Sequence, residues 1–167
     1  ANMAAALFDP AGQTQVLLKQ SGVDCVLAAT LSEALAIGRK VLVIGQNALT
    51  EDTEIPLALD EFVKNGGRVL ILPQKSSKVY APAVRADEES RVTREQVFVC
   101  DSGHPLLVGI DSADLRMWNH PEWDAAHAVA VNCPQKFTRG AGHAVLDCDS
   151  LWSTPLQELY YGQGLYL

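Results

Sequence analysis

Two short runs of continuous apolar residues constrain the fold of this chain more than any other feature. The first, Val41–Ile44, is rich in β-branched residues and ends at Gly45. The second, residues 68–72, begins after Gly67 and ends at Pro73. Unbroken apolar runs between turn residues are typical of strands that are buried on both faces, as in a parallel sheet.

A helix is predicted between these two strands. Leu59, Phe62 and Val63 recur at helical spacing, and Asn65-Gly66 follows them as a C-terminal stop. A strand, a helix and a strand in this order predict a right-handed parallel crossover within one sheet.

Other segments carry the same signals. In chain order we predict a strand at residues 4–8, a helix at 14–20, a strand at 23–28, a helix at 31–37, and strands at 95–100, 127–131 and 144–146. In the first of these helices Val16 and Leu17 are expected to face the core, and Thr30 or Ser32 is expected to cap the next one. Residues 74–93 are polar and are predicted to be irregular.

The C-terminal part of the chain predicts antiparallel strands. Residues 156–161 and 165–167 flank Gly162-Gln163-Gly164, which is typical of a hairpin. The predicted fold is therefore an α/β domain over residues 4–167, with a doubly wound, mainly parallel sheet and antiparallel edge strands at its C-terminal end. Residues 1–3 are interpreted as a cloning remnant, and the chain, which stops inside a strand, as a fragment of a larger protein.

Charge and composition exclude several classes of partner. Thirteen basic and twenty acidic residues give a net charge of −7, and the longest basic run is Arg39-Lys40. Binding to nucleic acid requires clustered Lys and Arg, so no nucleic-acid partner is expected. No apolar stretch approaches the length of a membrane span, so no membrane partner is expected either.

Metal and cofactor motifs are also missing from the sequence. The four cysteines form no C-x-x-C pair, and Cys25 and Cys100 lie in apolar runs, where we expect them to be core residues. The histidines, His104, His120, His127 and His143, have no standard zinc spacing. No glycine-rich phosphate loop follows a strand, and we expect no metal and no cofactor.

Polar residues at the ends of the predicted strands form one candidate site. Ligands bind open parallel sheets at the carboxyl ends of the strands, and a crevice there would bring together five residues: Asp9, Gln46, Asn47, Gln74 and Asp101. The alternative is that these side chains satisfy loop backbone groups and cap helices.

A second candidate site involves aromatic residues. Trp118 and Trp123 lie near the carboxylates of Asp111, Asp114, Glu122 and Asp124, a composition that could contact carbohydrate. The alternative is structural: residues 112–115 start a short helix that Trp118 anchors on the core. His104, between Gly103 and Pro105, is interpreted as a turn residue whose imidazole bonds to backbone, with a carbohydrate or interface contact as the other possibility.

Several segments together resemble a known family. They are Leu7-Phe8-Asp9-Pro10, residues 41–45 with Ala48-Leu49, residues 62–72, residues 103–110, residues 114–118 and residues 155–164. The chain resembles the class I glutamine amidotransferase-like fold, and more narrowly the non-catalytic β-galactosidase trimerisation domain of multidomain glycoside hydrolases. The resemblance implies a flavodoxin-like sheet, and it places the carboxylates of the hydrolase in another domain.

The catalytic members of this fold carry a cysteine on a glycine-flanked turn after a strand, with a downstream His and Glu. Here the strand at residues 68–72 is followed by Pro73-Gln74-Lys75-Ser76-Ser77, which contains neither cysteine nor glycine. The expected function is a non-catalytic interaction or oligomerisation domain, with other domains of the same polypeptide or neighbouring subunits as partners. The alternative is a stand-alone α/β protein that binds or hydrolyses a small ligand in the strand-end crevice.

Overall fold

A computed structural model of the chain describes residues 4–74, 92–94, 97–116, 131–133, 142–148 and 154–167. For residues 92–94, 116 and 131–133 it describes the backbone alone. The contacts divide the chain into two compact units, Ala1–Glu88 with Tyr160–Leu167 and Glu89–Leu159. That the whole chain behaves as one domain stays a prediction.

The first unit contains a regular alternation of strands and helices. Its elements before residue 75 are β1 (Ala5–Phe8), α1 (Gln13–Gln20), β2 (Cys25–Ala28), α2 (Leu31–Ala36), β3 (Val41–Ile44), α3 (Ala58–Lys64) and β4 (Arg68–Ile71). The four strands pair in parallel, β2 with β1, β1 with β3, and β3 with β4. The strand–helix–strand units predicted from the sequence are therefore confirmed.

The remaining elements follow along the chain. They are β5 (Val92–Arg94), β6 (Phe98–Val99), a 3-10 helix at Pro105–Leu107, α4 (Ser112–Arg116), β7 (Val131–Cys133), β8 (Gly142–Ala144), β9 (Leu146–Asp147), β10 (Gln157–Tyr161) and β11 (Gly164–Tyr166). Gly162-Gln163 links β10 to β11 as the predicted hairpin, with Gly162 at φ 63°.

The strands form one large mixed sheet and two small ones. The large sheet has seven strands in the order β2-β1-β3-β4-β11-β10-β8. Strand β11 is parallel to β4, whereas β10 is antiparallel to β8. The small sheets are the antiparallel pairs β5 with β7 and β6 with β9. The chain thus has an α/β fold with a mostly parallel sheet and antiparallel strands at one edge, as predicted.

Two predicted segments differ from the structure. The single strand at residues 144–146 is wrong: Val145 interrupts it, and β8 pairs with β10 while β9 pairs with β6. The Val145 carbonyl accepts the N–H groups of Cys100 and Asp101 instead, so the backbone bends there. The irregular segment ends earlier than predicted, since β5 begins at Val92. The strand predicted at 127–131 lies mostly outside the described residues.

The core of the first unit shows why α1 is oriented differently from the prediction. Leu7 and Val43 are buried on the sheet, and Leu18 of α1 packs against them. Val16 and Leu17 are 56% and 57% exposed, so the expectation that they face the core is wrong. The hydroxyl of buried Thr14 accepts the backbone N–H of Gln46 at 2.9 Å, and this bond fixes the rotation of the helix.

The second unit has its own apolar core, formed by the buried residues Val97, Leu107, Leu115, Val145 and Leu146. Cys25 is half-buried against the first core, as predicted, but Cys100 is exposed because it follows the end of β6 at a turn. None of the helices in the described part of the chain is both long and apolar enough to cross a bilayer.

Candidate functional site

Asp9 lies directly after β1 and is almost completely buried, with 3% of its surface exposed. Its Oδ2 accepts the backbone N–H of Gln15 at 2.8 Å, in the first turn of α1. A carboxylate at this position satisfies one of the unpaired N–H groups of the helix and complements the positive end of its dipole. Its Oδ1 is buried and has no hydrogen-bond partner among the described residues.

Gly45, directly after β3, packs closely on Asp9 and Thr14. A Cβ at Gly45 would lie 2.7 Å from the Asp9 Oδ1 and 2.9 Å from the Thr14 Oγ1. These distances are shorter than carbon–oxygen contacts allow, so the space between β1, α1 and β3 is already filled. The next two residues belong to the turn after β3: the side chain of Gln46 is exposed, and Asn47 adopts a left-handed conformation with φ 54°.

Gln74 is buried and bridges three backbone groups. Its Oε1 accepts the N–H of Leu49 at 2.9 Å, and its Nε2 donates to the carbonyl of Gly45 at 2.8 Å and to that of Leu72. The neighbouring Pro73 carbonyl accepts the N–H of Asn47 at 3.0 Å. Gln74 thereby connects the turn after β4 to the loop after β3, and both the oxygen and the nitrogen of its amide are hydrogen-bonded to backbone.

The strand-end residues thus do different things. Asp9, Gln46, Asn47 and Gln74 all lie at the carboxyl edge of the parallel strands in the first unit, whereas Asp101 belongs to the second unit. Asp9 caps a helix and Gln74 satisfies loop backbone groups, which is the alternative raised from the sequence. Ser76 and Ser77, the other hydroxyl groups near this turn, lie outside the described residues.

His104 forms the centre of a second polar cluster, in the second unit. Its Nδ1 accepts the N–H of Leu106 at 3.3 Å, so it binds backbone in a turn as the sequence predicted. Its Nε2 lies 3.1 Å from Oε1 of Glu158, and both side chains are buried, at 8% and 7% exposure. Because Nδ1 is an acceptor, a neutral imidazole carries its proton on Nε2 and donates it to Glu158.

His143 and Asp101 extend this cluster to the surface. The Nδ1 of His143 lies 3.8 Å from Oε2 of Glu158, and its Nε2 lies 3.9 Å from Oδ2 of Asp101. Both side chains are more than 40% exposed. The four side chains form a row of alternating carboxylates and imidazoles from the surface to the interior, an arrangement that can hold or relay a proton.

Sequence reasoning did not single out Glu158. The one signal in the sequence was its place inside the predicted strand at residues 156–161. The structure shows that Glu158 and Leu159 are both buried in this strand. A buried carboxylate needs a partner, and His104 supplies one. The cluster does not have the donor arrangement of a metal site: no group of three or more His, Cys, Asp or Glu side chains in the described part of the chain is placed to hold a metal.

The aromatic candidate site lies largely outside the described residues, which exclude Trp118, Trp123, Glu122 and Asp124. Its N-terminal part is described, and there Asp111 starts α4 as the structural alternative expects. The Oδ1 of Asp111 accepts the N–H groups of Ala113 at 2.7 Å and of Asp114 at 3.1 Å. These bonds satisfy the first turn of the helix.

Comparison of the chain with protein-family models, with curated proteins and with solved structures finds no match.

Proposed function

We propose that this chain is a non-catalytic interaction or oligomerisation domain of a multidomain glycoside hydrolase. The proposal has two parts that rest on different grounds. The interaction role rests on the exposed surface of the first unit. The parent enzyme is inferred from the sequence resemblance to the β-galactosidase trimerisation domain.

The strand order supports a doubly wound, flavodoxin-like arrangement for the first unit. The chain moves outward from β1 to β2 and then returns past β1 to β3 and β4. Right-handed crossovers in opposite directions place their helices on opposite faces of a sheet. We infer that α1 covers one face, and that α2 and α3, which contact each other, cover the other.

The turn after β4 supports a non-catalytic role. In the catalytic proteins of the fold that this chain resembles, a cysteine occupies this turn and is flanked by glycines. Here the turn carries Gln74, whose amide is not a nucleophile and has both of its ends bonded to backbone. Beside it, Gly45 packs so closely on Asp9 that not even a Cβ would fit between them.

The observation that carries the proposal is an apolar patch at the β2 edge of the sheet. We define the patch by Val16 and Leu17 of α1 and by Val23, Val26 and Leu27 in or beside β2; each is between 38% and 57% exposed. Among the described strands β2 is the outermost one on its side of the large sheet, so none of them pairs with its outer backbone groups. Exposed edge strands usually carry charge, proline or a bulge that prevents pairing, and the sequence of Cys25–Ala28 contains no charge and no proline.

An exposed edge strand with aliphatic side chains in and beside it is typical of a protein–protein interface. In an oligomerisation domain the patch would pack against a neighbouring subunit. Sedimentation velocity over a wide concentration range tests this. We expect the purified chain to self-associate, and we expect Leu17→Asp and Leu27→Asp to shift it to monomer.

Leu57→Asp is the matched control, because Leu57 is 83% exposed and lies outside the patch. We expect it to leave the association unchanged. A wild-type chain that is monomeric at every concentration would contradict the oligomerisation role. Hydrolysis of a chromogenic galactoside or of glutamine by the purified chain, above a heat-inactivated control, would contradict the non-catalytic role.

A further inference from the structure

A cleft of about 470 Å³ opens in the first unit between the connection from α2 to β3 and the connection from α3 to β4. Arg39, Lys40, Phe62, Asn65 and Gln163 contribute side chains to its lining. Lys40 directly precedes β3 and Gly67 directly precedes β4, so the cleft lies at the amino ends of these strands. It is therefore separate from the strand-end residues and from the apolar patch.

The charge of this cleft is opposite to that of the chain. The chain carries a net charge of −7, and Arg39-Lys40 is its longest basic run. None of the described residues that line the cleft is a carboxylate. Within the described residues no carboxylate forms an ion pair with either cation. Two exposed cations beside each other without an acidic neighbour produce a local positive potential.

Helix α3 ends at the cleft, and the carbonyl end of a helix disfavours anions. Its last carbonyls are, however, already bonded within the protein. The Glu61 carbonyl accepts the N–H of Asn65 at 3.1 Å, and the Phe62 carbonyl accepts that of Gly67 at 2.9 Å. The Val63 carbonyl accepts the N–H of Gly66 at 2.9 Å, and the Lys64 carbonyl accepts that of Gln163 at 3.0 Å. These hydrogen bonds reduce the negative potential that the helix end presents to the cleft.

One wall of the cleft is aromatic and held in place. Phe62 is half-buried, and its ring packs so closely on Gly67 that a Cβ at this glycine would overlap three ring atoms. The neighbouring Gly66 has φ 94°, a conformation that favours glycine. The cleft therefore combines two cations, two amide side chains and one fixed apolar surface.

We propose that this cleft binds a small organic anion. The oxyanion group lies between Arg39 and Lys40, where the planar guanidinium of Arg39 can donate two parallel hydrogen bonds. The body of the ligand contacts the ring of Phe62, and Asn65 and Gln163 provide hydrogen bonds to its polar groups. The volume of the cleft, about 470 Å³, is within the range of about 300 to 1,000 Å³ that small-molecule sites occupy. Carboxylates and phosphate esters share the required chemistry.

The experiment uses the full chain and three aromatic probes: phenyl phosphate, benzoate and the neutral phenol. Binding is followed by amide chemical shifts in ¹⁵N-labelled protein and quantified by calorimetry. We expect saturable shifts at the amides of Gly66, Gly67 and Gln163 with at least one anionic probe, and none with phenol. Whichever anion binds more tightly identifies the source, phosphate or carboxylate.

The variant Arg39→Gln/Lys40→Gln tests the two cations. Since neither side chain is buried, we expect its melting temperature to match that of the wild type, and the Kd of the better probe to rise at least about tenfold. Lys19→Gln, which removes one exposed cation of α1, is the matched control and should leave the Kd within about twofold of the wild type. The wild-type affinity should also fall with added salt.

Three results would overturn the proposal. They are the absence of saturable shifts at the cleft amides with both anions, equal binding of phenol, and an affinity that the double variant retains. A double variant that fails to fold does not end the test, because the comparison of anionic and neutral probes and the salt dependence are measured on the wild-type chain.

Discussion

Gln74→Ala tests whether the turn after β4 is a structural device. The substitution removes an acceptor from the Leu49 N–H and a donor from the Gly45 and Leu72 carbonyls. Gln74 is 4% exposed, so water does not readily replace these bonds. A buried backbone group that loses its partner costs about 1–3 kcal/mol. The Leu49 N–H is left without its acceptor, whereas the Gly45 carbonyl still accepts the N–H of Ala48 at 3.2 Å. With about 0.5–1.5 kcal/mol for the lost bond to Gly45 as well, we expect a loss of about 2–4 kcal/mol in the free energy of unfolding, a large fraction of the ~5–15 kcal/mol of a typical domain.

The loss can be measured globally and at one residue. Urea unfolding followed by far-ultraviolet circular dichroism gives the change in unfolding free energy. Hydrogen exchange at the Leu49 amide reports the broken bond itself, and we expect that amide to exchange much faster in Gln74→Ala. Gln74→Glu separates the two ends of the amide, because a carboxylate still accepts the Leu49 N–H but cannot donate to Gly45. We expect it to destabilise the chain while protecting Leu49 better than alanine does.

Gln46→Ala is the matched control, because Gln46 lies at the same edge of the sheet with an exposed side chain. We expect it to change the unfolding free energy by no more than about 0.5 kcal/mol. Equal stabilities of the two alanine variants would refute the structural role of Gln74. A Gln74→Ala chain of normal stability that had lost affinity for a small ligand would instead support a binding crevice at the strand ends.

Three further changes test other parts of the structure. Gly45→Ala places a methyl 2.7 Å from Asp9 Oδ1 and should cost roughly 1–3 kcal/mol in urea unfolding, whereas Gly103→Ala, whose nearest neighbour is at 3.5 Å, should cost much less. His104→Ala removes the buried imidazole that donates to Glu158 and should lower the free energy of unfolding by about 2–4 kcal/mol, with faster amide exchange in β10. His143→Ala, at the exposed end of the cluster, should lower it clearly less. Burial and the hydrogen bond to Asp60 raise the pKa of Tyr166, so the folded state favours the neutral phenol. The contribution of Tyr166 to the free energy of unfolding is therefore fully present below the ordinary tyrosine pKa of about 10 and is lost as the pH rises above it. Tyr166→Phe should flatten the decline of stability above that pH, and equal slopes for variant and wild type would contradict this assignment.

The sheet was predictable because its signals are local. The runs at Val41–Ile44 and residues 68–72 need no partner to be recognised, since a strand buried on both faces is apolar throughout. Glycine and threonine signals placed helix ends in the same way: Thr30 caps α2 through its Oγ1, and Gly66 with φ 94° follows the end of α3. Where backbone chemistry is decided by neighbours in sequence, the prediction and the structure agree.

The polar sites were not predictable, because they depend on distant partners. The exposed Gln46 and the buried Gln74 have the same side chain, and both follow strands. Only the structure shows that Gln74 reaches the Leu49 amide and the Gly45 carbonyl, 25 and 29 residues away in sequence. Glu158 is similar, since the imidazole that allows its burial comes from a turn far earlier in the chain. Sequence patterns identify side chains that can form hydrogen bonds, but they do not show which of these side chains are bonded within the folded protein.

The error in α1 bears directly on the proposed function. Assigning Val16 and Leu17 to the core assumed that every apolar position of a helix serves the core of its own chain. The structure uses polar Thr14 and apolar Leu18 for that purpose and leaves Val16 and Leu17 more than half exposed. Val26 and Leu27 on the neighbouring strand are exposed as well, and the exposure of these aliphatic side chains to water is unfavourable. In an interaction domain the apolar residues are divided between an internal core and an external partner, and a helix that contributes to both carries apolar residues on more than one side. The sedimentation behaviour of Leu17→Asp against Leu57→Asp decides whether that division applies to this chain.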